Sequence, residues 1–290
     1  MTIAIGQSAV KVTANSDHTN PVVTPAVTTS ASGSVFVAFL TWVDGNTFSA
    51  LSDSKGNTWT QIGTEQDSGT GVNDGARTRV YYTSNANPAG GSGHTVSFTY
   101  NDLQSIGLVT VLFVEITNCA GFDVSAFNFT NHTLPASSGS APATSESSEL
   151  LLGIAGGTDS NDNPCTFSSS GSTPSDGNWS LVVQNQNSSS TFAAAIFSAV
   201  VAVTGVYAFS MQASGGANGR AGIATFRDVS GPGQTAFQPG AFQNQAFQIL
   251  GAGDVTGTWK TGLGTAEGSF KTVLGLANAS IKTIDGLTNA

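Results

Sequence analysis

Glu115 is the first residue whose type and setting suggest chemistry, because it interrupts the apolar run from Val109 to Ile116. Enzymes that cleave glycosidic bonds need two carboxyl groups in one cleft, and Glu115 would be one of them in a glycan-degrading enzyme. No second acid shares its pattern. A Glu on the wetter face of a strand, or one paired with Arg77 or Arg79, accounts for the same residue without catalysis. We therefore expect that the protein is not an enzyme.

Other reactive patterns are weaker. Ser52-Asp-Ser-Lys55 fits the S-x-x-K spacing of a serine nucleophile but lacks the companion motifs and lies in a Gly-rich turn. The segment Asp159-Ser-Asn-Asp162-Asn163 offers oxygen atoms of the kind that calcium prefers, without the spacing of an EF-hand. The histidines are too far apart in sequence to suggest zinc. We predict no catalytic residue, no cofactor and no metal, and leave the calcium alternative open.

Four side chains are candidates for contact with a glycan. Trp59 and Trp179 lie in segments flanked by turns and are the better candidates for an exposed stacking surface, although most tryptophans pack in a core. Arg77 and Arg79 point the same way on one predicted strand and could grip an acidic sugar. A solvated strand face accounts for the same pair without a ligand.

The composition excludes several classes of protein. Only 9% of the 290 residues are charged, and the formal net charge is -9. The Lys and Arg residues are scattered, so we expect no binding of nucleic acid or of anionic lipid. The longest apolar run, from Phe192 to Val203, is too short for a membrane span, and no signal peptide is visible. Cys119 and Cys165 are expected to be free thiols, unless the fold brings them together.

Residues 1–230 are predicted to form an all-β domain. Segments such as His94-Thr-Val96-Ser-Phe98-Thr-Tyr100 alternate between apolar and polar residues, whereas Val35 to Trp42 is continuously apolar, as in a strand covered on both faces. Gly, Asn and Asp clusters separate these segments. Many short strands divided by turns indicate an antiparallel two-sheet sandwich or jelly roll.

The last 60 residues are repetitive. Residues 231–250 repeat Ala-Phe-Gln every five positions, at Phe237, Phe242 and Phe247, and we predict that these rings are buried in an interface. Residues 251–290 repeat an apolar residue, Lys and Thr every eleven positions. The predicted contacts of this assembly tail are Trp259, Phe270, Ile281, Leu276 and Leu287. A Gly in every unit favours strand-turn units over a helical stalk, which remains the alternative.

Several motifs together resemble a β-sandwich domain of uncharacterised bacteriophage and prophage proteins. They are the turn Asp53-Ser-Lys-Gly-Asn-Thr-Trp59, the strand Arg79-Val-Tyr-Tyr82, the turn and strand Gly91-Ser-Gly-His-Thr-Val96, and Glu149-Leu-Leu-Leu-Gly153. The tail segments Ala241 to Gln248 and Ala279 to Leu287 are similar to repeats at the ends of phage tail and other virion proteins. The resemblance implies a virion structural component and brings no catalytic residues with it.

We therefore expect a non-enzymatic virion protein, made in the host cytoplasm, whose exposed head is anchored through its C-terminal repeats. Its expected partners are other virion proteins, sister chains in a homotrimer, and a host-surface glycan. A tail fibre or adhesin for host attachment is the favoured assignment. A capsid decoration or head fibre protein is the first alternative, and a glycan-binding module or glycan-degrading enzyme is the second.

Overall fold

The structure is a computed structural model with two compact units, Met1–Ala236 and Phe237–Ala290. Within the first unit, the head, it describes residues 2–13, 19–43, 46–67, 76–101, 109–132, 134–158, 166–185, 192–214 and 218–229. In the second unit it describes the backbone of residues 272–273, 276–277, 283–284 and 287–288. The head is almost entirely β-structure, and the predicted all-β, antiparallel fold class is confirmed.

The first half of the head contains eight strands. They are β1 (Ala4–Val12), β2 (Val22–Val23), β3 (Ser34–Val43), β4 (Thr47–Asp53), β5 (Trp59–Asp67), β6 (Ala76–Thr83), β7 (Val96–Asn101) and β8 (Val109–Thr117). A large sheet with the order β1-β8-β3-β6-β5 packs on a small sheet with the order β2-β7-β4. Every pairing is antiparallel.

The second half contains eight more strands and a short 3-10 helix, Asp176–Asn178. The strands are β9 (Cys119–His132), β10 (Ala136–Ser137), β11 (Glu149–Thr158), β12 (Phe167–Ser169), β13 (Ser180–Asn185), β14 (Phe192–Val201), β15 (Ser210–Ala213) and β16 (Asn218–Asp228). They form a large sheet, β13-β14-β11-β16-β9, and a small sheet, β10-β15-β12.

The two halves have the same topology. Replacing β1 to β8 by β9 to β16 in order converts both sheets of the first half into those of the second. Local features repeat as well. A bulge in β1 between Ile5 and Ser8 has its counterpart in β9, opposite the step between Ala224 and Phe226 of β16. The head is therefore an internally duplicated pair of β-sandwiches, with four sheets among its described residues rather than the two predicted.

The two large sheets pack face to face across one apolar layer. This layer joins Val37, Phe39 and Leu112 of the first sheet to Leu152 and Ile196 of the second. Across it β1 contacts β13, which corresponds to β5, and β5 contacts β9, which corresponds to β1. Such reciprocal contacts are those of an isologous dimer, so the halves are related by a pseudo-twofold axis parallel to the strands.

The head consequently has two distinct ends. At the near end, β8 passes into β9 at Asn118, and β16 stops at Asp228, from which the chain continues toward the tail. The far end carries the strand ends that join β1 to β2, β3 to β4, β5 to β6 and β7 to β8. The corresponding strand ends of the second half lie at the same end, because Asn185 at the end of β13 bonds Thr110 at the start of β8.

Four short strands of the tail are described. β17 (Thr272–Val273) pairs with β18 (Leu276–Ala277), and β19 (Thr283–Ile284) pairs with β20 (Leu287–Thr288). Both pairs are antiparallel, and the second follows the first by the eleven residues of the sequence repeat. The fold of the tail as a whole, and its division at residue 250, stay predictions.

Close packing between β11 and the second small sheet leads to a stability prediction. A Cβ atom added at Gly153 would lie 2.4 Å from the ring of Phe209, which is fully buried. We expect Gly153→Ala to lower the free energy of unfolding by about 1–3 kcal/mol, because the ring must move within a packed core. Gly177→Ala is the matched control, since a Cβ atom there meets nothing within 4 Å. Equal effects of the two variants in urea unfolding would contradict this packing.

Candidate functional site

Glu115 is buried at a strand bulge and is fully engaged in structural hydrogen bonds. Its Oε1 accepts from the backbone N–H of Ser30 at 2.7 Å and from the Ser34 hydroxyl at 2.8 Å, and its Oε2 accepts from the N–H of Gln7 at 3.0 Å. A Cβ atom at Gly6 would lie 2.4 Å from Oε2. The side chain is only 1% exposed. The expectation of a wetter strand face or a pairing with Arg77 or Arg79 is therefore wrong.

A second polar group, formed by Thr29, His94 and Asp53, lies at the near end of the first sandwich and has the residue types of a catalytic triad. The Nδ1 atom of His94 is 3.0 Å from the Thr29 hydroxyl, and its Nε2 is 3.4 Å from Oδ2 of Asp53. Burial alone would raise the pKa of Asp53, but hydrogen bonds from His94, Asn57 and Lys55 lower it to about 2. Asp53 is therefore an anion in the folded protein over the whole physiological range.

No substrate can reach this polar group, because backbone atoms cover the Thr29 hydroxyl. Thr29 accepts a hydrogen bond from the N–H of Gly91 at 3.1 Å, and a Cβ atom at Gly90 would lie 2.7 Å from the Thr29 Oγ1. His94 is fully buried and packs against the rings of Phe36 and Phe113. Sequence reasoning missed this group because its three members are separated by 24 and 41 positions, as their numbers show. Its role is to hold three connections together.

The turn that carries the phage-protein resemblance belongs to the same near-end network. Asp53 accepts hydrogen bonds from the N–H groups of Lys55 and Asn57 at 2.9 and 3.1 Å. Asn57 in turn bonds both the N–H and the carbonyl of Ala89, at 2.7 and 2.9 Å. The Lys55 ammonium donates to the carbonyl of Ser92. These residues fix the turn between β4 and β5, in which the S-x-x-K spacing ends.

The second sandwich has its own buried carboxyl group at the near end, Glu149. The registers of β11 and β16 make Glu149 the counterpart of Ser34, and Thr225 the counterpart of Glu115. In the first half the carboxyl group is on β8 and the hydroxyl group is on β3. In the second half the hydroxyl group is on β16, the counterpart of β8, and the carboxyl group is on β11, the counterpart of β3. In both halves the oxygen opposite the bulge accepts a backbone N–H, because Val124 donates to Thr225 at 3.2 Å as Gln7 donates to Glu115.

Glu149 is fully buried and shares its site with Asp123. Burial and a hydrogen bond to Asp123 raise the pKa of Glu149, and hydrogen bonds from Thr225 and the Glu146 N–H lower it; the net result is a pKa of about 7. The pKa of Asp123 is lowered, in spite of burial, by hydrogen bonds from Ser145. The pair therefore holds one proton near neutral pH, as two adjacent carboxyl groups do.

A partly exposed polar group lies on β5 and β6. Glu65 bonds Arg77 at 2.9 Å and Arg79 at 2.7 Å. Arg79 also donates to the Tyr81 hydroxyl at 3.0 Å, which donates to Gln61 at 3.3 Å. We call these five residues the β5–β6 strip. Glu65 accepts hydrogen bonds from both guanidinium groups and offsets one of their two positive charges. An acidic sugar would have to compete with Glu65 for these donors, and the grip on an acidic sugar stays a prediction.

The two tryptophans proposed as glycan contacts have different settings. Trp179 is only 7% exposed, packs against Phe209 and donates from Nε1 to the carbonyl of Pro174 at 3.0 Å. It is a core residue, so an exposed stacking surface at Trp179 is excluded. Trp59 is half-buried beside the core of the first sandwich and begins β5, two residues before Gln61 of the strip.

Several predicted residues lie outside the described part of the chain. These are the calcium candidate Asp159–Asn163, Cys165 and the tail contacts Phe237, Phe242, Phe247, Trp259, Phe270 and Ile281, together with the side chains of Leu276 and Leu287. Cys119 is a free thiol whose burial raises its pKa to about 12. In the described ranges, no three His, Cys, Asp or Glu side chains are grouped to hold a metal, and no helix there has the length and apolarity of a membrane span.

Comparison with known proteins adds no assignment. No protein-family model matches the chain, and neither a curated protein nor a solved structure is similar to it. A function for this protein must therefore be inferred from its own residues and fold.

Glu115→Gln tests whether Glu115 is structural. An amide in this site would turn an NH2 group toward an N–H or hydroxyl donor, so we expect a loss of about 1–3 kcal/mol in the free energy of unfolding. Denaturant unfolding measures this loss, with Glu146→Gln as the control of equal charge change at a half-buried position. A variant of unchanged stability that had lost hydrolysis of host polysaccharide would instead make Glu115 catalytic.

The stability of the head should depend on pH through Glu149. A carboxyl group whose pKa rises from 4.5 to about 7 on folding binds more protons in the folded state, so the free energy of unfolding falls as pH rises through this window. We expect a fall on the order of 1–3 kcal/mol between pH 4.5 and 7. Glu149→Gln should flatten the profile over this window, whereas Glu146→Gln should preserve it. A wild-type profile without this slope would show that Glu149 is ionised when folded.

Proposed function

We propose that the protein is a non-enzymatic structural component of a bacteriophage virion. In this proposal the duplicated β-sandwich head faces the host, and the C-terminal repeats join the head to the particle and to sister chains. The favoured location is a tail fibre or adhesin. The observation that carries the proposal is the polarity of the head: β16, the strand that precedes the repetitive tail in the sequence, ends at the near end, opposite the strand ends of the far end.

The distribution of polar groups agrees with this polarity. At the near end, the side chains of Asp53, His94, Glu115 and Glu149 are buried and have polar partners that hold connections together. In the sequence, the segments between β5 and β6 (68–75) and between β13 and β14 (186–191) consist mostly of Asn, Asp, Ser, Thr and Gly. Residues of these types supply adaptable hydrogen bonding in binding loops carried by a rigid β-scaffold.

Chemistry also favours a structural role over an enzymatic one. Glu115, the acid singled out for glycan hydrolysis, has no open face, and the group formed by Asp53, His94 and Thr29 is closed off by Gly90 and Gly91. The eleven-residue tail units, each too short to bury its own apolar residues, need neighbouring copies or an external surface. An assembly component meets this need, whereas a free hydrolase has no use for it.

A truncation after Ser230 tests the role of the tail. We expect the full-length protein to form a trimer or larger assembly by light scattering, and the truncated head to be a monomer with an unchanged circular dichroism spectrum. Phage particles whose own copy is truncated in the same way should lack the head protein. A full-length chain that is monomeric and absent from purified particles would overturn the proposal.

Adsorption distinguishes the two virion locations. Antibodies against the head should block attachment of particles to host cells if the protein is an adhesin. If they leave attachment unchanged, and the truncated particles instead lose capsid stability on heating, the protein is a capsid decoration protein.

A further inference from the structure

The β5–β6 strip lies beside an edge that the first small sheet leaves uncovered. The large sheet has five strands and the small sheet three, and β4 at the edge of the small sheet reaches only as far as β6, where Phe48 stacks on Tyr81 at 5.6 Å. Among the described strands of the first half, none therefore lies above the outer face of β5. The side chains of Arg77, Glu65 and Arg79 are 31%, 23% and 22% exposed.

The second half of the head serves as an internal control for this strip. The registers of β3 with β6 and of β11 with β14 pair Arg77, Arg79 and Tyr81 with Ala193, Ala195 and Phe197. All three counterparts are buried in the apolar layer of the second sandwich. The same fold is thus built without any polar side chain at these positions. Folding does not require the strip, and half-buried charges stabilise a protein little.

The strip has the chemistry of a surface that binds uncharged polyols. Its amide, carboxylate and guanidinium groups are planar and present paired donors or acceptors, which match neighbouring hydroxyl groups of a sugar. Glu65 bridges both guanidinium groups and offsets one of their two positive charges, so an acidic sugar would have to compete with Glu65 for the same donors, whereas a neutral hydroxyl group would not. Arg79 is held rigidly, with its guanidinium 4.2 Å from the centre of the Phe48 ring.

An aromatic side chain lies at the near end of the same strand face. Trp59 is two residues from Gln61 on β5, and alternate residues of a strand share a face about 7 Å apart. An aromatic ring beside paired polar groups accepts the apolar face of a sugar ring while its hydroxyl groups are hydrogen-bonded. The row from Trp59 to Arg77 has the length of several sugar units, since it follows most of β5.

We infer that the β5–β6 strip, with Trp59, is a binding site for an uncharged oligosaccharide. The assignment of this saccharide to the host surface rests on the proposed function, whereas the binding itself does not. Glu65 and the two arginines position one another, and Gln61, Arg77 and Trp59 contact the ligand.

Calorimetric titration of the full-length protein tests the inference. The probes are hexasaccharides of glucose, galactose and N-acetylglucosamine, together with a galacturonic acid hexamer as the acidic comparison. We expect binding of at least one neutral probe, and a loss of roughly tenfold in affinity in Gln61→Ala and in Arg77→Ala, since each removes one polar contact. Gln212→Ala is the matched control, an exposed Gln on β15 of the second small sheet, and should bind like the wild type.

Three results would overturn the inference. They are no binding of any neutral probe at millimolar concentration, equal weakening by Gln212→Ala, and tighter binding of the galacturonic acid hexamer than of any neutral probe. Urea unfolding of each variant separates lost binding from lost folding, and Gln61→Ala keeps the test decisive if Arg77→Ala is unstable. Particles that carry a strip variant and still contain the protein would show that the proposed virion role survives failure of the inferred site.

Discussion

The apolar layer between the two large sheets is the constraint from which the rest of the structure follows. Strands β3, β8, β11 and β14 are buried on both faces, so each must be apolar almost throughout, and each large sheet needs a cover on both sides. The small sheets provide the outer covers, and the pseudo-twofold packing of the halves provides the inner one. The large sheet of each half covers the inner face of the other, as the two subunits of an isologous dimer do.

Burial on both faces leaves few places for polar groups, and the buried carboxyl groups Glu115 and Glu149 both lie at the near end. Strand bulges and connections there expose N–H groups that no strand neighbour can satisfy, and an unpaired buried N–H is costly. Side-chain oxygens of Glu115 and Thr225 accept those hydrogens in the two halves. The acids and the histidine that suggested catalysis therefore complete the hydrogen bonding of the fold, which is why they are enclosed.

Comparison of the two halves shows which features both share and which occur in one half alone. Bulge, topology and near-end hydrogen bonds recur in both halves, whereas the β5–β6 strip with Arg77, Arg79 and Tyr81 occurs in the first half alone and is replaced by small or apolar residues in the second. The preserved features maintain the scaffold. The three charged side chains of the strip are 22–31% exposed and lie beside the edge that the first small sheet leaves uncovered.

The sequence by itself determined the all-β class, the strands and the polar turns, because alternation and Gly/Asn/Asp clusters are local properties of the chain. It did not reveal the duplication, since the halves share little more than Gly56-Asn-Thr-Trp59 and Gly177-Asn-Trp179 before β5 and β13. Only the tertiary structure decided that Trp179 is core, that Glu115 faces a bulge, and that Asp53, His94 and Thr29 meet. These outcomes depend on strand partners distant in sequence, and burial and hydrogen bonding are properties of that pairing rather than of any single segment.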